Sequence, residues 1–222
     1  FFSWGNLSNL LSNTAVRFLI ALGVSGCLIT KGTDLSAGRQ VGLAACIAGV
    51  LCQRGDYTGR MWKSVPEMNI FLVLLIVLAI GFVVGLVNGL IIAKLHVPPF
   101  IATLGTQMMA AGLGSIITKV QSQTWPTATA EVGGWFKKVF IRAELFGIKG
   151  FPVGAFWLIG FFIIAALILH KTKFGRYVYA IGSNEEATRL SGIKVDNWKV
   201  AVYTLSGFFV GMCGLFYAAA YT

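Results

Sequence analysis

The 222-residue chain carries 18 Lys and Arg against 8 Asp and Glu, a net charge of +10, yet only 12% of its residues are charged, 56% are apolar and the mean hydropathy is +0.77. So few charges cannot clothe a water-facing globule, and 17 Phe, 6 Trp and 6 Tyr bring too much apolar surface for a disordered chain. The positive residues stand singly or in small groups between long apolar runs, which argues against a nucleic-acid face and suits the loops of a membrane protein.

Measured against the roughly 20 apolar residues that a spanning helix needs, the chain offers five or six spans and reads as an all-α transmembrane bundle. Phe1 to Asn13 mixes aromatic, apolar and small polar residues, so it is expected to approach the membrane along its interface. Two runs follow, about Asn13–Thr30 and Ser36–Cys52, with only Lys31 to Leu35 between them. The pair is therefore a tight hairpin or one interrupted helix. Asp34 and Arg39 flank the break and Arg17 lies within the first run; ionisable groups at that depth must be paired or face water. Asp34 is expected to cap or pair, with Arg39 as a partner, and Ser36 is placed to cap the next helix. The alternative for Asp34, Ser36 and Arg39 is that they line a pathway.

Beyond the polar stretch Gln53–Asn69, the run from Ile70 to Ala93 has Asn88 as its single polar side chain and is a membrane span. Gly81, Gly85 and Gly89 recur every four residues, so they share one face on which a partner backbone can approach closely. Asn88 shares that face and points into the bundle, either bridging two helices or touching a substrate. Gly38, Gly42 and Gly49, and again Gly207, Gly211 and Gly214, repeat the pattern in other spans. Pro98 and Pro99 stop the helix before them, and Thr103 and Thr106 offer polar surface in the following span, about Phe100–Thr118. Gln121–Phe151 is too polar to cross. Further spans cover about Pro152–Leu169 and Trp198–Tyr221.

Between these two, Ser183 and Glu186 have capping-box spacing and Gly192 suits a left-handed stop, predicting a short helix with Glu185, Glu186 and Arg189 on it. Counting Lys and Arg on alternate sides gives eight against eight, which leaves orientation open. Cys27, Cys46, Cys52 and Cys213 show no CxxC spacing and no His partner, so they read as packed thiols rather than metal ligands. No HExxH, G-x-S-x-G or GxxxxGK[ST] occurs, and no catalytic or metal residue is expected.

Four motifs, in order, resemble one family. Gly32-Thr-Asp-Leu-Ser-Ala-Gly38 resembles a G-x-D-L-S-x-G signature; Pro99-Phe-Ile-Ala-Thr-Leu-Gly-Thr106 and Thr172-Lys-Phe-Gly-Arg-Tyr177 also match; and Tyr179 to Val195 is similar to a coupling loop. The family is that of the permease subunits of ATP-binding-cassette importers for monosaccharides, of the ribose, xylose, arabinose and galactose type. The string from Gly32 to Ala45, with Arg39-Gln40, is most like its galactose/methyl-galactoside branch.

The resemblance implies a single permease domain over residues 1–222, a fragment with further spans before Phe1 and after Thr222, and a cytoplasmic coupling loop over 171–197. In that loop Asn184, Glu185, Glu186, Ala187, Arg189, Leu190, Ser191 and Gly192 would meet an ATPase subunit, Ala187 and Leu190 supplying the buried contact. It also implies an extracytoplasmic sugar-binding protein, a second permease copy, surrounding lipid, a bacterial inner membrane, and no cofactor on this chain, ATP and Mg residing on the ATPase. The competing reading is an ion- or proton-coupled secondary transporter or channel, for which the spans hold few acidic residues.

Overall fold

Apolar side chains all round most helices leave the bundle to be specified by small residues, caps and chain breaks. The computed structural model describes residues 3–53, 59–66, 68–120, 143–145, 148–151 and 153–220. Among them the elements are α1 (Trp4–Ile29), α2 (Ala37–Leu51), α3 (Ile70–Lys94), α4 (Pro99–Ile117), β1 (Ala143–Leu145), β2 (Ile148–Phe151), α5 (Val153–Lys171), α6 (Lys173–Ser183), α7 (Glu185–Leu190) and α8 (Val195–Ala220). Five helices, α1, α3, α4, α5 and α8, are long and apolar enough to cross a membrane. Phe71, Leu75, Phe82, Met109, Phe162 and Leu167 stand outward from them.

The start of the chain corrects one expectation. Residues 6–13 are not separate from the first span but form the first turns of α1, because the Ser3 hydroxyl accepts the Asn6 N–H and opens the helix early. At 26 residues α1 is roughly 39 Å long. The all-α expectation holds for the bundle, to which β1 and β2 add one short antiparallel ribbon. The rest of the expected polar loop Gln121–Phe151, at 121–142 and 146–147, lies outside the described residues.

The first two apolar runs form a hairpin rather than one interrupted helix. Asn13, Val16 and Arg17 of α1 line the same cavity as Gly38, Val41 and Gly42 of α2, so the chain doubles back and α2 begins beside the middle of α1. Its 15 residues span roughly 22 Å, too short to cross. The connection, residues 30–36, must therefore descend to membrane depth without helical hydrogen bonds, which a bilayer tolerates only where protein surrounds it.

α8 is the axis of the bundle and packs against α1, α2 and α3. Along α3, Gly81 and Gly85 meet Gly207 and Gly211 backbone to backbone, and Gly89 lies on Val200; a Cβ on Gly89 would stand 2.8 Å from Val200 Cα. Gly214 lies against the Ala44 side chain of α2. The glycines of α2 do not repeat this arrangement: a Cβ on Gly38, Gly42 or Gly49 would meet nothing within 4 Å. Helical spacing alone does not say which glycine stripe finds a partner.

A sequence reading of one short helix after α5 overlooked α6. Thr172 caps α6 by accepting the Gly175 N–H, and Gly175 passes so close to the end of α5 that a Cβ there would overlap the Leu169 carbonyl. Gly175→Ala is expected to cost about 2 kcal/mol, read as earlier loss of monodisperse protein on heating in detergent. Unchanged behaviour would mean that the corner has room to spare.

Candidate functional site

A carboxylate at membrane depth must be compensated locally, and the break before α2 does this with its own neighbours. Asp34 Oδ1 accepts the Ser36 N–H at 3.1 Å and also the Ser36 hydroxyl, while Oδ2 accepts the Ser206 hydroxyl of α8 at 3.1 Å. Ser36 Oγ in turn accepts Gln40 Nε2 at 2.6 Å and Asn88 Nδ2 at 3.0 Å. The Tyr203 hydroxyl donates to the Thr33 carbonyl at 3.4 Å, fastening the descending segment to α8. One network thus ties the break, α2, α3 and α8 together.

The network is closed. Ser36, Asn88 and Ser206 have no exposed surface, Gln40 is 3% exposed and Asp34 9%. Among the described residues the amide oxygens of Gln40 and Asn88 have no hydrogen-bond partner, so polar capacity remains inside. The geometry suits a latch holding a helix start within the bilayer, where the carboxylate beside the α2 N-terminus also complements the helix dipole.

Two expectations about this cluster are corrected. Ser36 does not cap α2 with its side chain; its hydroxyl is turned to Asp34, and it is Asp34 that accepts the free N–H. Arg39 does not pair with Asp34 but is exposed, bordering with Arg17 the cavity between α1 and α2. Thr103 and Thr106 are buried in α4 and donate back to their own helix, to the Pro99 carbonyl at 2.7 Å and the Thr103 carbonyl at 3.0 Å respectively. Neither borders that cavity. The sequence reading missed Gln40 and Ser206 as members of the network. Their signal was available, since each is a polar residue within an apolar helix, Gln40 four residues after Ser36 and Ser206 next to Gly207.

A second candidate region lies at one end of the bundle. Lys31 Nζ donates to the Ser183 carbonyl at 3.3 Å and Lys94 Nζ to Asn197 Oδ1 at 2.9 Å, which gathers the turns after α1 and α3 beside α6–α8. The expected capping box is displaced by one residue: Ser183 ends α6, and Asn184 caps α7, its Oδ1 accepting the Ala187 N–H at 3.0 Å. Gly192 has φ +81°, the left-handed conformation expected of it. Glu185 is held by Lys199 at 2.7 Å and Arg189 by Asp196 at 3.2 Å, so both brace α7 against α8 instead of lying free at a rim. Glu186 and Ala187 are exposed, and Leu190 is 88% exposed, an isolated apolar side chain at the tip. Among the described residues no group of three or more His, Cys, Asp or Glu is placed to hold a metal ion.

Comparison with known proteins covers nearly the whole chain. Residues 6–222 match the family model described as branched-chain amino acid transport system / permease component. The galactose/methyl galactoside import permease protein of Escherichia coli (strain K12) is 42% identical over 216 residues, 97% of this chain and 63% of that protein. The ribose import permease protein of the same organism is 35% identical over 220 residues, 97% and 61%. The fructose import permease protein of Bifidobacterium longum is 32% identical over 216 residues, 97% and 56%. The chain thus spans less than two thirds of the length of these relatives. No solved structure matches it.

Proposed function

We propose, because this chain belongs to the branched-chain amino acid transport system / permease component family, that it is a membrane-spanning part of the permease subunit of an ATP-driven monosaccharide importer, galactose and methyl galactoside being favoured. The 42% identity to a galactose/methyl galactoside import permease over 97% of the chain carries this reading. The lack of acidic residues within α3, α4 and α5 favours it over an ion- or proton-coupled transporter.

In this reading the chain does no chemistry. ATP and Mg are bound by a partner ATPase, a binding protein delivers the sugar from outside, and a second copy completes the passage in the inner membrane. The end bearing α7 faces the cytoplasm. Leu190 and Ala187 dock in a groove of the ATPase, with Glu186 and Ser191 at the rim, while Glu185 and Arg189 keep α7 at a fixed angle to α8. Force from ATP hydrolysis then reaches α8, and through it the latch at Asp34.

The test uses the full-length permease with its ATPase and binding protein in liposomes. Galactose or methyl galactoside is expected to stimulate ATP hydrolysis, and no stimulation by any pentose or hexose would overturn the proposal. Leu190→Glu places a charge in the docking contact and is expected to reduce sugar-stimulated hydrolysis about tenfold or more without loss of the folded membrane domain. Full coupling in that variant would remove α7 as the docking element.

A further inference from the structure

Arg17 lies near the midpoint of α1 and Arg39 in the first turn of α2, which itself begins at membrane depth. Both side chains are exposed and border one cavity of about 290 Å³, together with Asn13, Gly38, Gly42 and Tyr217. Neither guanidinium has an ion-pair or hydrogen-bond partner among the described residues. None is available nearby in these helices: α1, α2, α3, α4 and α5 contain no Asp or Glu, and Asp34 is committed to Ser36 and Ser206. Two cations without a partner among the described residues are stable at that depth against water or a polar ligand and not against hydrocarbon. The α2 face beside them is bare, since a Cβ on Gly38 or Gly42 would meet nothing within 4 Å. At about 30 Å³ per water the cavity has room for roughly ten water molecules, enough for one monosaccharide.

We infer that this cavity is a water-filled length of the translocation route, in which Arg17, Arg39 and Asn13 offer N–H donors to the oxygens of a passing monosaccharide. The inference rests on the importer reading and adds to it where the sugar meets this chain. The donors suit a hydroxyl-rich ligand, whose oxygens accept, and Tyr217 supplies a ring at the rim for the sugar's C–H face. The two positive charges repel inorganic cations and protons, so a passage wide enough for a sugar need not leak ions. The closed network at Asp34 lies outside this route and shapes it by fixing where α2 begins.

The test again uses the full-length complex in liposomes, with Gly38→Cys added and thiol labelling read above the wild-type background. The new thiol is expected to react with water-soluble methanethiosulfonates, the anionic reagent at least about threefold faster than the cationic one because of the neighbouring guanidiniums. That preference should disappear in Gly38→Cys with Arg17→Gln, and galactose with binding protein should slow labelling. Arg17→Gln and Arg39→Gln should each lower galactose uptake about tenfold. An unreactive thiol in a complex whose ATPase responds to galactose would overturn this inference and leave the importer reading standing. A reactive thiol in a complex that no sugar stimulates would overturn the sugar contact together with the importer reading. Equal rates with the two reagents would remove the arginines from the cavity.

Discussion

Gly85→Leu is expected to abolish the folded bundle. A Cβ at this position would overlap the Tyr203 carbonyl and stand 3.0 Å from Gly207 Cα, so a leucine forces α3 and α8 apart along their whole contact. Overpacking of a tight core costs about 1–3 kcal/mol and occasionally more; here the obstacle is backbone on the central helix, which cannot move aside as a side chain can. The expected result is loss of membrane-inserted, monodisperse protein in detergent. Val83→Leu, on the exposed face of the same helix, should behave as wild type. Equal tolerance of the two would mean that the Gly81, Gly85, Gly89 face is not where α3 packs.

Asp34→Ala is the second large effect. It leaves the Ser36 N–H, the Ser36 hydroxyl and the Ser206 hydroxyl without their acceptor in a site closed to water, at about 1–3 kcal/mol for each buried donor left unsatisfied. A total of about 3 kcal/mol or more is expected, enough to unseat the start of α2. Asp34→Asn keeps one acceptor oxygen for Ser36, and Ser206 can turn to accept from the new amide, so a loss of about 1 kcal/mol is expected. Thermal unfolding of the three proteins in detergent distinguishes them. If the alanine variant proves as stable as wild type, Asp34 is not the keystone of the latch.

Much of this protein was legible without coordinates, for reasons that are local. A helix such as Ile70–Lys94 needs only length and apolarity to be recognised, because the bilayer leaves no other conformation for it. The left-handed stop at Gly192 and the start of α4 at Pro98 and Pro99 follow from backbone restrictions that travel with the residue, whereas α3 ends earlier than the prolines suggest, at Lys94, with His96 at φ +53°. The membrane class, the spans α3, α4, α5 and α8, the short helix after α5 and the family all rest on such signals, whereas the apolar run of α2 proves too short to cross.

What the tertiary structure decided concerns pairs of residues far apart in the chain. Spacing put Gly38, Gly42 and Gly49 on a level with Gly81, Gly85 and Gly89, and only the second set has a close backbone partner, because α8 offers matching glycines to α3 while α2 turns Gly38 and Gly42 toward a cavity. Charge suggested Arg39 for Asp34, yet Ser206, 172 residues away, and Ser36 satisfy the carboxylate, and Arg39 points elsewhere. Sequence shows that a buried polar group must find a partner. Which partner it finds depends on how deep the chain descends before α2 begins, and that depth is set by the packing of α1, α2 and α3 around α8.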